Sequence, residues 1–174
     1  MKEQIPEAIS KAFEFERNGA KFYLETAAKT QNRLARQLLN NLAKEEVQHV
    51  LDIDEIYYEL KEGTLPEKMD QDSKNSIESS IQTFFKKVNK GTLKEDIDDL
   101  EALKVAMDME KKGYEMYRTA MKAATEPNMQ EFFNRLAQEE QEHLIALENV
   151  YYYLTNPADW FAQTESQVWN WMNS

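Results

Sequence analysis

The stretch "LAKEEVQH" occupies Leu42–His49, and a second version, "LAQEEQEH", occupies Leu136–His143. The chain has only two histidines, and each closes one of these stretches at the same Glu-x-x-His spacing. The copies stand 94 residues apart, and that offset holds well beyond them. Ile9, Phe13, Glu16, Ala20, Tyr23 and Ala27 recur as Leu103, Met107, Glu110, Tyr114, Tyr117 and Met121. Ala35, Leu39, Leu42, Glu46, His49, Ile53, Ile56 and Leu60 recur as Met129, Phe133, Leu136, Glu140, His143, Leu147, Val150 and Leu154. Steps of three and four mark a helix face turned toward a core. The sequence therefore predicts four helices in two related hairpins.

Punctuation fits that division. Pro6 suits a first helical turn, and "KTQN" (Lys29–Asn32) separates the first two helices. Gly63 and Pro66 stop the second, "TEPN" with Pro127 opens the fourth, and the fourth ends before "TNPADW". Short loops make each hairpin antiparallel. The expected architecture is all-α: a bundle over residues 1–155, with hairpins at about 6–62 and 98–155. A long crossover at about 64–97 joins them, and its Ile77, Ile81, Phe84, Phe85 and Val88 predict a short packed helix. A crossover of that length between helical hairpins is the connection of ferritin-like antiparallel four-helix bundles. Residues 156–174 form an aromatic tail, with Trp160, Phe161, Trp169 and Trp171. Two readings stand for it: a cap on the bundle end, or a subunit contact.

Composition narrows the function classes. The 174 residues suit one domain, and 41% hydrophobic with 30% charged residues is ordinary for a globular chain. A formal charge of −11 disfavours nucleic acid and anionic membranes as partners. No window approaches a membrane span and "MKEQIPEAIS" lacks a secretory apolar region, so the expected location is cytoplasmic. Without Cys there is no disulfide framework and no thiolate or iron–sulfur site.

The informative feature is the address of the charges. Glu16, Glu46, Glu110, Glu140, His49 and His143 sit on stripes otherwise filled by apolar residues. On the second helix Glu46 lies roughly 30° from the stripe centre and Glu45 roughly 70°, so Glu46 is the inward candidate; Glu139 and Glu140 repeat the argument. Isolated core carboxylates cost several kcal/mol each, unless they are neutralised or share cations. Two divalent ions would balance four ionised Glu, and residues three apart on one helix face can grip one ion. The ordinary reading of one Glu-x-x-His is a solvated charge pair, and buried protonated carboxylates remain an alternative for the set. Two inward copies that use every histidine point instead to a dinuclear carboxylate site. Oxygen and nitrogen ligands suit iron or manganese and also admit zinc, and six ligands around two ions leave open positions for a small molecule.

Tyr23 and Tyr117 follow Glu16 and Glu110 by almost two turns, where a phenol can hydrogen-bond a carboxylate of a facing helix; ordinary core packing is the competing role. Gly19 and Gly113 each follow an inward Glu by three residues and serve either close helix approach or space beside the metals.

The order of Glu16, "EEVQH", Glu110 and "EEQEH" on four helices resembles the rubrerythrin branch of the ferritin-like superfamily, and the likeness runs from about Pro6 to Leu154. "YYYLTNPADWF" is similar to the bundle end of stand-alone members. The resemblance implies metal ligation by Glu16, Glu46, His49, Glu110, Glu140 and His143. It also implies two iron ions and reduction of hydrogen peroxide or O2 to water at the metal centre, with no nucleophilic residue. Rubrerythrins usually carry a rubredoxin domain, which needs Cys; a separate electron-donor protein is expected here. They also carry an extra Glu on the third helix that takes part in a redox-linked ligand exchange, and that position is Gly113 in this chain. The rival expectations are ferritin-type ferroxidase and iron storage in a hollow shell, a non-catalytic zinc-binding bundle, and di-manganese catalase. The aromatic tail favours a homodimer or small homo-oligomer over a shell.

Overall fold

The structure, a computed structural model, describes residues 4–62 and 97–159. Four helices occupy them: α1 (Gln4–Lys29), α2 (Arg33–Glu62), α3 (Ile97–Ala123) and α4 (Pro127–Thr155). There is no strand among the described residues. The expected helix around Ile77–Val88 and the tail from Trp160 onward lie outside the described residues.

Local chemistry sets the helix ends. Asn32 caps α2, its Oδ1 accepting from Leu34 N at 2.9 Å and Ala35 N at 3.1 Å. Pro127 opens α4 after an extended Glu126, and Asn156 N closes it on Tyr152 O at 2.8 Å. The α1–α2 turn is also gripped from the other hairpin. Asp99 in the first turn of α3 accepts from Gln31 N at 3.1 Å and Asn32 N at 2.6 Å. These are charge-assisted bonds to backbone groups that otherwise have no helical partner.

α1 packs along α2 and α3 along α4, and the hairpins meet through α1 against α3 and α2 against α4. Tyr23 reaches Glu110 while Tyr117 reaches Glu16, so α1 and α3 run antiparallel. Glu45 reaches His143 while His49 reaches Glu139, so α2 and α4 do as well. A pseudo-twofold axis across the bundle accounts for both pairs, and it is the spatial form of the 94-residue repeat.

That axis divides the apolar core in two. One cluster gathers Tyr23, Leu34, Leu39, Leu42, Leu103, Leu147 and Val150; the other gathers Ile9, Ile53, Ile56, Tyr117, Met129, Phe133 and Leu136. Each fully buried large apolar side chain contributes about 1.5–3 kcal/mol, so the two ends supply the driving force for the fold. Between them lies a polar layer.

Replacing Asp99 by Ala leaves two backbone amides of the α1–α2 turn without their acceptor. The expected result is a loss of about 1–3 kcal/mol in urea unfolding, with helix content of the folded state unchanged.

Candidate metal centre

Glu16, Glu46, Glu110 and Glu140 expose at most 1% of their surface, and His143 and His49 expose 1% and 5%. Each of the four helices supplies one of these Glu, and the two Glu-x-x-His helices add the imidazoles. All six converge in the layer between the apolar clusters. His49 and His143 stack with ring centroids 5.6 Å apart and planes 11° from parallel.

The donor atoms form two overlapping groups of four. Glu16, Glu46, His49 and Glu140 make one, and Glu46, Glu110, Glu140 and His143 make the other, with donors in each group within 4.8 Å of one another. Glu46 and Glu140 belong to both. Each imidazole turns Nδ1 inward: His49 Nδ1 lies 3.1 Å from Glu16 Oε2, and His143 Nδ1 lies 3.5 Å from both Glu46 Oε1 and Glu110 Oε2.

Buried polar atoms in native proteins are nearly always hydrogen-bonded. Here Glu46 Oε2, Glu110 Oε2, both carboxylate oxygens of Glu140 and His143 Nδ1 are buried with no hydrogen-bond partner. Acceptors left over on several converging side chains are what a cation would satisfy, so the residues present fit a metal centre.

Protonation tells the same story. Burial, reinforced by the Glu46 charge, raises the Glu16 carboxyl to about 8. Burial also pushes Glu46 up, but the adjoining Glu16 carboxyl and the two facing imidazoles outweigh it and hold that group at about 2. Burial and the charges of Glu110, Glu16 and Glu46 hold Glu140 well above the usual carboxylate range. Burial disfavours charge on the imidazoles, yet the carboxylates around them raise both, Glu16 foremost for His49 and Glu110 for His143. Without cations the layer balances its charge with protons, and metal binding has to displace them.

Tyr23 donates to Glu110 Oε1 and Tyr117 donates to Glu16 Oε1, each from the opposite hairpin. Burial, with the nearby carboxylates, raises both phenols well above 10, so they remain donors. The glycines have separate neighbours. A Cβ on Gly19 would lie 3.4 Å from the Glu46 carboxylate, an ordinary contact. A Cβ on Gly113 would collide with Glu140 Oε2 and lie 2.8 Å from the Phe15 ring. The space beside Gly113 is filled by a carboxylate of the centre itself.

Glu45 and Glu139 are the residues that helix periodicity passed over. Glu139 Oε2 lies 3.0 Å from His49 Nε2, and Glu45 Oε2 lies 3.2 Å from His143 Nε2. The available signal was the Glu-Glu doublet itself, present in both copies of the motif.

A ferritin-like bundle with a buried carboxylate–histidine centre is the class that fold and site define. The sequence model of the rubrerythrin family matches residues 7–151, and the chain belongs to that family. Comparison with curated proteins and with solved structures returns no match. No helix among the described residues is long and apolar enough to cross a membrane.

Ala in place of Gly normally stabilises a helix by about 0.4–1 kcal/mol where the side chain fits. Gly19→Ala is expected to raise stability on that ground. Gly113→Ala has to push aside the Glu140 carboxylate, so metal affinity falls and stability does not rise. Thermal melts with and without added metal measure both.

Proposed function

We propose that this chain is a non-haem di-iron protein of rubrerythrin type that reduces hydrogen peroxide, or O2, to water with electrons from a separate donor protein. The observation that carries the reading is the pair of four-donor groups sharing Glu46 and Glu140. Two carboxylates common to two sets of ligands suit two ions held side by side, with Glu16 and His49 serving one and Glu110 and His143 the other. Carboxylate and imidazole donors without sulfur suit iron.

Two ferrous ions held by these six side chains would supply the two electrons that, with two protons, convert hydrogen peroxide to two waters. The chain's own residues set up that chemistry rather than perform it. Glu46 and Glu140 would serve both positions, since each belongs to both donor groups. Tyr23 and Tyr117 fix the orientation of Glu110 and Glu16 by hydrogen bonds across the hairpins. The apolar clusters on either side restrict solvent. Gly113 leaves α3 with Glu110 as its one carboxylate in the centre, and its neighbours leave no room for a side chain there. A ligand exchange through that position therefore forms no part of the mechanism proposed here. An external donor and a dimer or small homo-oligomer are parts of the same proposal.

Anaerobic stopped-flow mixing of iron-loaded, reduced protein with peroxide tests this. The expected result is one peroxide consumed per two irons, faster than free ferrous ion reacts, with turnover only when a reductant is present. Oxidation no faster than that of free iron contradicts the proposal. Consumption of peroxide with release of O2 and no need for a donor would instead indicate a catalase.

A further inference from the structure

The centre uses one nitrogen of each imidazole. The other nitrogen is also engaged, and always across the hairpin boundary. His49 on α2 turns Nε2 toward Glu139 on α4, and His143 on α4 turns Nε2 toward Glu45 on α2. Both carboxylates lie at the rim of the layer, with side chains 17% and 26% exposed, whereas the metal-facing Glu are closed off. The face they bridge is fixed independently: Arg135 Nη2 meets Asp52 Oδ2 at 2.6 Å, joining α4 to α2 one turn from the Glu139–His49 contact.

An imidazole that offers Nδ1 to a metal carries its proton on Nε2. Whatever accepts that proton selects the tautomer and sets the angle of the ring. We propose that Glu45 and Glu139 are positioning residues of the metal centre, each accepting the Nε2 proton of the other hairpin's histidine so that its Nδ1 faces the metal. The doublet in each Glu-Glu-x-x-His motif thus has two duties. Its second Glu joins the centre beside its own histidine, and its first orients the histidine of the partner motif. Neither hairpin alone holds a correctly oriented ligand set. This rests on the two-metal reading of the same site.

The test uses the full chain with zinc as the probe, titrated against a competing chelator, and nitrogen-15 spectra of the two imidazoles. Glu139→Ala and Glu45→Ala retain good helix formers, and the corresponding Gln variants keep an acceptor while losing the charge. Each Ala variant is expected to weaken one of the two zinc sites by about 10- to 100-fold, with the Gln variant intermediate. The spectral change is expected on His49 in the Glu139 variants and on His143 in the Glu45 variants. Wild-type protein that binds two zinc ions while the variants bind equally well, with unchanged imidazole signals, overturns the positioning role alone. Wild-type protein that takes up no zinc overturns the two-metal reading and this proposal together.

Discussion

Charge held in a dry interior is the constraint from which the rest of this molecule follows. Four carboxylates and two imidazoles meet in one layer with several acceptor atoms unpartnered, and like charges at that range repel strongly in a low dielectric. Apolar clusters above and below the layer supply the folding energy that tolerates it. Protons can relieve the repulsion, and the raised Glu16, Glu140 and histidine groups show where they would sit. Cations relieve it more completely, since one divalent ion satisfies several acceptors at once. Stability and the neutralisation of charge, by protons or by cations, are thereby coupled in the same six side chains.

The pseudo-twofold arrangement gives that coupling its form. Four contacts to the buried layer cross between hairpins: Tyr23 to Glu110, Tyr117 to Glu16, Glu139 to His49 and Glu45 to His143. Within a hairpin His49 Nδ1 faces Glu16 and His143 Nδ1 faces Glu110, while Gly19 and Gly113 leave space for Glu46 and Glu140. A repeat that merely doubled a helical hairpin would place two similar faces together. Here the faces are complementary, each supplying polar partners to the other's buried carboxylate and imidazole.

Much of this was legible in the sequence because a helix stripe reports what points at the bundle axis. The six inward residues interrupt apolar stripes at matching places, and they converge as their spacing predicts. Glu45 and Glu139 were not legible in that way. Their offset of roughly 70° from the stripe centre is measured toward the axis, and it turns them toward a neighbouring helix instead. Which helix lies there depends on tertiary packing, which periodicity within one helix does not contain. The same holds for Gly113, whose spacing marks a tight place without naming Glu140 and Phe15 as its occupants. Asp99 in turn gave no periodic signal, because its partners are backbone amides of a distant turn.

The most direct measurement is anomalous diffraction at the iron edge from crystals loaded with ferrous iron without oxygen. Two peaks per chain are predicted in the polar layer, one against Glu16 and His49 and one against Glu110 and His143, with Glu46 and Glu140 touching both. A single peak, peaks elsewhere on the surface, or an iron-free layer with protonated carboxylates would contradict the account.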